Sequence, residues 1–301
     1  MEHAIIQKET ASLYHGDTLV QGERLEGLFT LLGGEELVTN FFELKEDSQY
    51  ALLFSNTAYD DLAKASPCLF ETFPGTSLFS YFRDLQTDWG LWAMSMADIK
   101  VTSAHWQSLL NVLMPDGTIS HFRFYSSAVF RTLANACTPS ELAMLMGPYH
   151  TIHTVLENGD LFEFRHPSLE YASPAQIAEE YTLSTGVWWQ VTDIQLEAFK
   201  PILDKVFRSN IELWLWENYF AEADVAGDIW GSLENFIEWA IEDGRREGLK
   251  SSDELSRYIA AIVPFVCSTE KPPFVKSPVL RGVNPEDRLV ELEAAAHKVR
   301  S

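Results

Sequence analysis

The sequence predicts an α+β protein: a mixed-sheet α/β domain over residues 1–168, then an all-helical lobe over residues 169–301. Three observations predict it. Up to about Pro167, short apolar runs with strand character alternate with helix-start signals. Two tight-turn signatures, Pro115-Asp116-Gly117 and Asn158-Gly159, close hairpins among those runs. Beyond Pro167 the strand signals stop, and capped segments with apolar residues at helical spacing take over.

Each element follows from its residues. Residues 1 to about 22 read as a strand or hairpin that turns at His15-Gly16-Asp17. Leu28 to Leu32 is a short apolar strand, broken by Gly33-Gly34, and Glu35 to Phe42 is helical. Tyr50 to Phe54 and Cys68 to Phe73 are strands, with a helical turn or two over Asp60 to Lys64. Ser77 to Leu85 reads as a helix, Leu91 to Met96 as a buried strand and Ser103 to Leu110 as a helix. The Pro115 turn then returns the chain through Ile119 to Ser126, whose alternation predicts a hairpin with aromatic residues on one face. Ser126 or Ser127 caps a helix carrying Val129, Phe130 and Leu133. Thr138-Pro139-Ser140-Glu141 is a capping box with proline in the first turn, and Gly147-Pro148 ends that helix. Thr151 to Leu156 and Leu161 to Phe164 form the second hairpin.

In the helical part, boxes open at Ser173-Pro174-Ala175-Gln176, Thr192-Asp193-Ile194-Gln195 and Ser251-Ser252-Asp253-Glu254. The second of these starts a long helix with Leu196, Phe199, Leu203, Val206 and Phe207 at helical spacing, which Pro201 must kink or divide. Leu233 to Glu247 is helical and stops at Gly248. Five prolines mark Pro264 to Pro285 as an extended strap, and Asn284-Pro285 opens a last helix with Leu289, Leu292, Ala296 and Val299 on one stripe.

Composition excludes several function classes. Apolar residues make up 46% and aromatic residues 13%, enough for packed cores. The formal net charge of -22 repels nucleic-acid backbones, so no nucleic-acid partner is expected. Cys68, Cys137 and Cys267 are far apart and set among apolar residues, as buried thiols in a reducing compartment are. The start, MEHAIIQKET, lacks a basic region followed by an apolar core, and no segment approaches the ~20 apolar residues of a membrane span. A cytoplasmic location is expected.

Candidate chemistry is sparse. His150 and His153, near Glu157 and Asp160, offer metal-ligand types, but residues three apart on a strand point to opposite faces. Asp60 and Asp61 diverge by about 100° on a helix and do not form a carboxylate pair. Ser126-Ser127 lacks a glycine-flanked elbow. The sequence has no phosphate loop, dinucleotide fingerprint or cysteine-pair zinc motif. No catalytic, cofactor-binding or metal residue is therefore assigned, and the protein is expected not to be an enzyme.

Aromatic surplus points instead to binding. Between Ser209 and Gly244 lie nine acidic residues and no lysine or arginine, together with Trp214, Trp216, Trp230 and Trp239. Trp188 and Trp189 lie just upstream. Trp214 and Trp216 project about 200° apart on one helix, so both cannot enter one core. The adjacent pair poses the same problem. One member of each pair packs elsewhere, within the chain or against another protein, and these six tryptophans are the candidate partner-binding residues.

From Leu28 to about Leu156 the chain resembles the type VI secretion effector adaptor family, whose shared region is known as domain of unknown function 4123. The resemblance rests on Gly33-Gly34 after the first strand, Asn56-Thr57-Ala58-Tyr59-Asp60-Asp61-Leu62, Ala65-Ser66-Pro67-Cys68-Leu69 and Trp89-Gly90. It continues through Pro115-Asp116-Gly117, Phe122-Arg123-Phe124-Tyr125, Thr138-Pro139-Ser140-Glu141-Leu142 and Gly147-Pro148. The region from Leu233 through Gly248-Leu249-Lys250-Ser251-Ser252-Asp253-Glu254-Leu255 is similar to the C-terminal extension of such adaptors. The chain departs from the family's usual pattern in a longer N-terminus and in Ser126-Ser127, where an acid and a proline are commoner.

The resemblance implies a bacterial cytoplasmic chaperone that binds a toxic effector protein and helps load it onto the VgrG spike, with no catalytic residues and no cofactor. Two other classes are weighed: an immunity-type inhibitor of a basic toxin, and a metal-dependent hydrolase at His150 and His153. Protection of a poisoned cell identifies the first, and metal content of the purified protein the second.

Overall fold

The computed structural model describes residues 5–6, 27–33, 35–44, 48–73, 75–85, 89–156, 159–267 and 285–300. The hairpin expected at His15-Gly16-Asp17, Asn158 and most of the proline-rich strap lie outside the described residues. Contacts divide the chain into two compact units, Met1–Phe199 and Lys200–Ser301. The break thus falls at Phe199, later in the chain than the change of composition near Pro167.

The first unit is built on a seven-stranded sheet of β1 (Ile5–Ile6), β2 (Gly27–Leu32), β3 (Tyr50–Leu52), β4 (Cys68–Thr72), β5 (Gly90–Ser95), β8 (Tyr149–Val155) and β9 (Leu161–Arg165). The order is β1-β9-β8-β5-β2-β4-β3. Every neighbouring pair is antiparallel. The α+β class therefore holds, and the mixed pairing is confined to a second, small sheet, β10-β6-β7. Its strands are β6 (Asn111–Leu113), β7 (Ile119–His121) and β10 (Trp189–Gln190), with β10 parallel to β6.

Strand alternation sends side chains to two cores, which is why the central strands read as continuous apolar runs. Leu28 and Leu32 of β2, Phe70 of β4 and Trp92 of β5 pack with α1 (Glu35–Leu44) and α2 (Ser77–Asp84) through Phe41, Phe79 and Phe82. Phe29, Leu31, Leu69, Leu91 and Ile152 face the opposite way. They meet α3 (Ile99–Ser108), α4 (Ser127–Ala136) and α5 (Pro139–Met146) through Trp106, Phe130, Leu133 and Leu145. Ring packing fills both layers: Phe41 stacks on Phe70 at 4.3 Å and Trp106 on Phe124 at 4.9 Å.

Local signals account for most boundaries, and the differences have causes. Helix α3 starts at Ile99, ahead of the expected Ser103, because Asp98 accepts the Val101 N–H at 2.9 Å and caps it. Strand β7 stops at His121. The aromatic run beyond it turns, with Ser126 N–H bonded to the Arg123 carbonyl, and Phe122 and Phe124 enter the core from this turn. The expected long helix divides at Phe199 into α7 (Asp193–Ala198) and α8 (Lys200–Asn218), as Pro201 requires. Helix α6 (Pro174–Glu180), β10 and α7 all belong to the first unit.

The second unit is helical: α8, α9 (Phe220–Trp230), α10 (Leu233–Arg246), α11 (Ser252–Ile262) and α12 (Pro285–Arg300). A 3-10 turn at Val263–Cys267 begins where the strap was expected. Ile211, Leu215, Phe236, Ile237, Ile241, Ile259, Leu289 and Leu292 form the core. Arg257 binds Glu286 and Glu293, joining α11 to α12, and Arg245–Asp204 and Arg208–Glu238 join α10 to α8.

Candidate partner-binding surfaces

The six tryptophans separate by environment. Trp189 is buried, and β10 holds it in register with Val112. Trp188 is half-buried and donates from Nε1 to Ser108 Oγ at 3.1 Å, its ring meeting Trp189 edge-on at 5.6 Å. The pair is thus split between the small sheet and α3, within the first unit. Trp230 and Trp239, 4.5 Å apart, lean on Phe236. Trp214 turns inward, against Tyr219 at 5.1 Å and the helical core. Trp216 turns outward, 36% exposed, with its ring 5.6 Å from the 68% exposed Phe220. Five of the six are therefore packing residues of their own unit, and Trp216 is the one on an open face.

That face carries more than one residue. Leu203, Val206 and Leu213 of α8 are each more than half exposed, and they run into Trp216 and Phe220. Sequence periodicity found Leu203 and Val206 but placed them on the core stripe. The break at Phe199 leaves Phe207, Ile211, Trp214 and Leu215 inside and sets Leu203 and Val206 outside. No periodicity argument distinguishes two apolar stripes on one helix; the stripe that meets a neighbouring helix is buried.

The first unit has a cleft of about 310 Å³ lined by Met144, His166, Ser168, Glu180, Tyr181 and Trp188 among others. Its imidazoles are committed to the backbone. His166 Nε2 donates to the Ala143 carbonyl at 3.2 Å, and Nδ1 accepts the Ser168 N–H. Behind it, His105 donates to the Leu145 carbonyl at 2.9 Å, and Nδ1 lies 3.0 Å from the Tyr181 hydroxyl. Burial pushes His105 down to about 4 and Tyr181 up to about 12, so this pair is neutral across the physiological range. Burial likewise pushes the Cys137 thiol up to about 12, far from a reactive thiolate.

The histidines of the expected strand do separate. His150 and His153 both lie on β8, at positions that face opposite sides. His153 is buried and lies 3.3 Å from Glu163 on β9, its cross-strand partner. Glu163 also accepts from Arg165 Nε at 2.5 Å. The His153 hydrogen bond first, then Arg165, holds the Glu163 carboxyl down at about 2. Among the described residues no group of three or more His, Cys, Asp or Glu is placed to hold a metal ion. Asp60 and Asp61 lie in a 3-10 turn, Asp60 accepting the Asn56 N–H at 2.9 Å. Buried Ser127 donates to the Gly90 carbonyl and accepts the Val155 N–H at 2.9 Å, tying α4 to β5 and β8.

Fold and surface together define an antiparallel-sheet α+β domain joined to a helical unit with an outward aromatic face. Residues 29–144 match the model of a family described as Domain of unknown function (DUF4123). No curated protein and no solved structure matches the chain. Among the described residues no helix is long and apolar enough to cross a membrane.

Proposed function

We propose that this protein is a non-enzymatic cytoplasmic adaptor that binds a toxic effector protein and helps load it onto the VgrG spike of a type VI secretion system. The observation that carries the reading is the family match over residues 29–144, which spans the motifs from Gly33-Gly34 to Thr138-Pro139-Ser140-Glu141-Leu142 among those on which the resemblance to effector adaptors rests. The outward Trp216 and Phe220, beside exposed Leu213, support it, because exposed aromatic side chains of this size are typical anchors of protein interfaces. The direct test is co-purification with a toxin encoded beside a spike gene, and loss of that toxin's secretion when this chain is deleted. A toxin still delivered without the chain contradicts the proposal.

One observation favours a second reading. The carboxylates of α8 and α9 suit an immunity-type inhibitor that covers a basic toxin. Protection decides between them: an inhibitor rescues a cell that makes the toxin internally, whereas an adaptor is needed for delivery.

A further inference from the structure

The arginines of the helical unit are not spread evenly over its acids. Arg208 binds Glu238, Arg245 binds Asp204, Arg246 binds Asp243, Arg257 binds Glu286 and Glu293, and Arg288 binds Glu247. By contrast Glu212, Glu217, Glu222, Asp224 and Asp228 make no ion pair among the described residues. Three of them flank the outward stripe. Glu212 lies four residues before Trp216, Glu217 four after Leu213 and Asp224 four after Phe220, and such neighbours share a helix face. Uncompensated charge beside exposed Leu213, Trp216 and Phe220 makes a surface whose apolar and electrostatic halves ask for the same complement.

We infer that the stripe Leu203, Val206, Leu213, Trp216 and Phe220 docks a basic amphipathic helix of a partner protein, with the partner's lysines or arginines over Glu212, Glu217 and Asp224. The inference rests on the adaptor reading for who that partner is, but its chemistry comes from this surface alone. From Leu203 to Trp216 the stripe is about 20 Å long, the length of a helix of roughly 13 residues. Polarity follows too. Glu217 and Asp224 lie at the end of α8 and in α9, so the basic end of the partner lies toward Phe220. A second copy laid antiparallel on the same stripe is the rival occupant. The net charge of -22 on each chain opposes it and favours a basic partner.

The test uses the full chain and a synthetic Leu/Lys amphipathic peptide of about 18 residues, with a Leu/Glu peptide of the same apolar pattern as control. The Leu/Lys peptide should bind, weaken as salt rises from about 50 to about 300 mM, and outbind the Leu/Glu peptide by at least about tenfold. A chain carrying Leu213→Asp and Phe220→Asp should keep its circular dichroism and melting temperature, since both residues are exposed, and lose at least about tenfold in affinity. Equal binding of the two peptides, or equal binding by wild type and variant, overturns the inference. So does a wild-type dimer that the variant turns into a monomer. An effector retained by the double variant overturns the inference and leaves the adaptor reading intact. Peptide binding that the variant abolishes, in a chain that captures no effector, upholds the surface and removes the adaptor reading.

Discussion

Two glycines of the resembling motifs are explained by what a side chain would strike. Gly147 ends α5 at φ 57°, and a Cβ there would fall on the His105 ring. Gly90 opens β5 at φ 138°, where a Cβ would strike the Leu31 carbonyl. Gly147→Ala should therefore lower unfolding stability by about 2–5 kcal/mol, from backbone strain plus overpacking against a buried ring, as read by chemical denaturation. Glu163 gives a pH prediction. Its carboxyl stands at about 2 in the folded chain against an ordinary 4.5, so its contribution is full above about 4.5 and is lost as pH falls toward 2. Glu163→Gln should flatten the acid limb of stability over that window, and an unchanged limb contradicts the role given to His153 and Arg165. The turn and cap residues were legible in the sequence because their chemistry is local. The His153–Glu163 pair and the bonds of Ser127 were not, because they depend on the register of strands distant in sequence.

Capping boxes locate elements well. Those at Thr138, Ser173, Thr192 and Ser251 are all formed, each with its glutamate or glutamine reaching back to the cap. Thr138→Ala should cost about 1 kcal/mol in thermal melts, with the fold unchanged. Strand β10 was not legible, because two residues carry no period and their pairing to β6 is long-range. Helix α8 shows what periodicity leaves open. Its sequence required Trp214 and Trp216 to part company, and the neighbouring helices decided which goes in. The two tryptophans should consequently behave differently. Trp214→Ala should destabilise the helical unit by about 2–4 kcal/mol, as truncation in a core does. Trp216→Ala should change stability by less than about 1 kcal/mol, with any larger loss in melts contradicting its outward placement.

At the scale of the molecule, the work divides. The first unit places its aromatic residues in two sheet cores and commits His105 and His166 to backbone carbonyls, and its resembling motifs supply turns, caps and close approaches rather than chemistry. The helical unit ties α8 to α10 through Arg208–Glu238 and Arg245–Asp204, and leaves Glu212, Glu217 and Asp224 without an ion pair among the described residues beside an open apolar stripe. The fold class was legible from spacing and turn signals, and helix geometry alone required Trp214 and Trp216 to face different ways. That Trp216 is the one of the six on an open face required the packing. The measurement that tests the central claim most directly is affinity capture of the toxin encoded beside a neighbouring spike gene, using wild type, Trp216→Ala and Trp214→Ala at a temperature where all three are folded. Wild type and Trp214→Ala should retain the toxin, and Trp216→Ala should lose it by about tenfold or more. A wild-type chain that captures no toxin, in a cell that secretes that toxin equally with and without this protein, contradicts the claim.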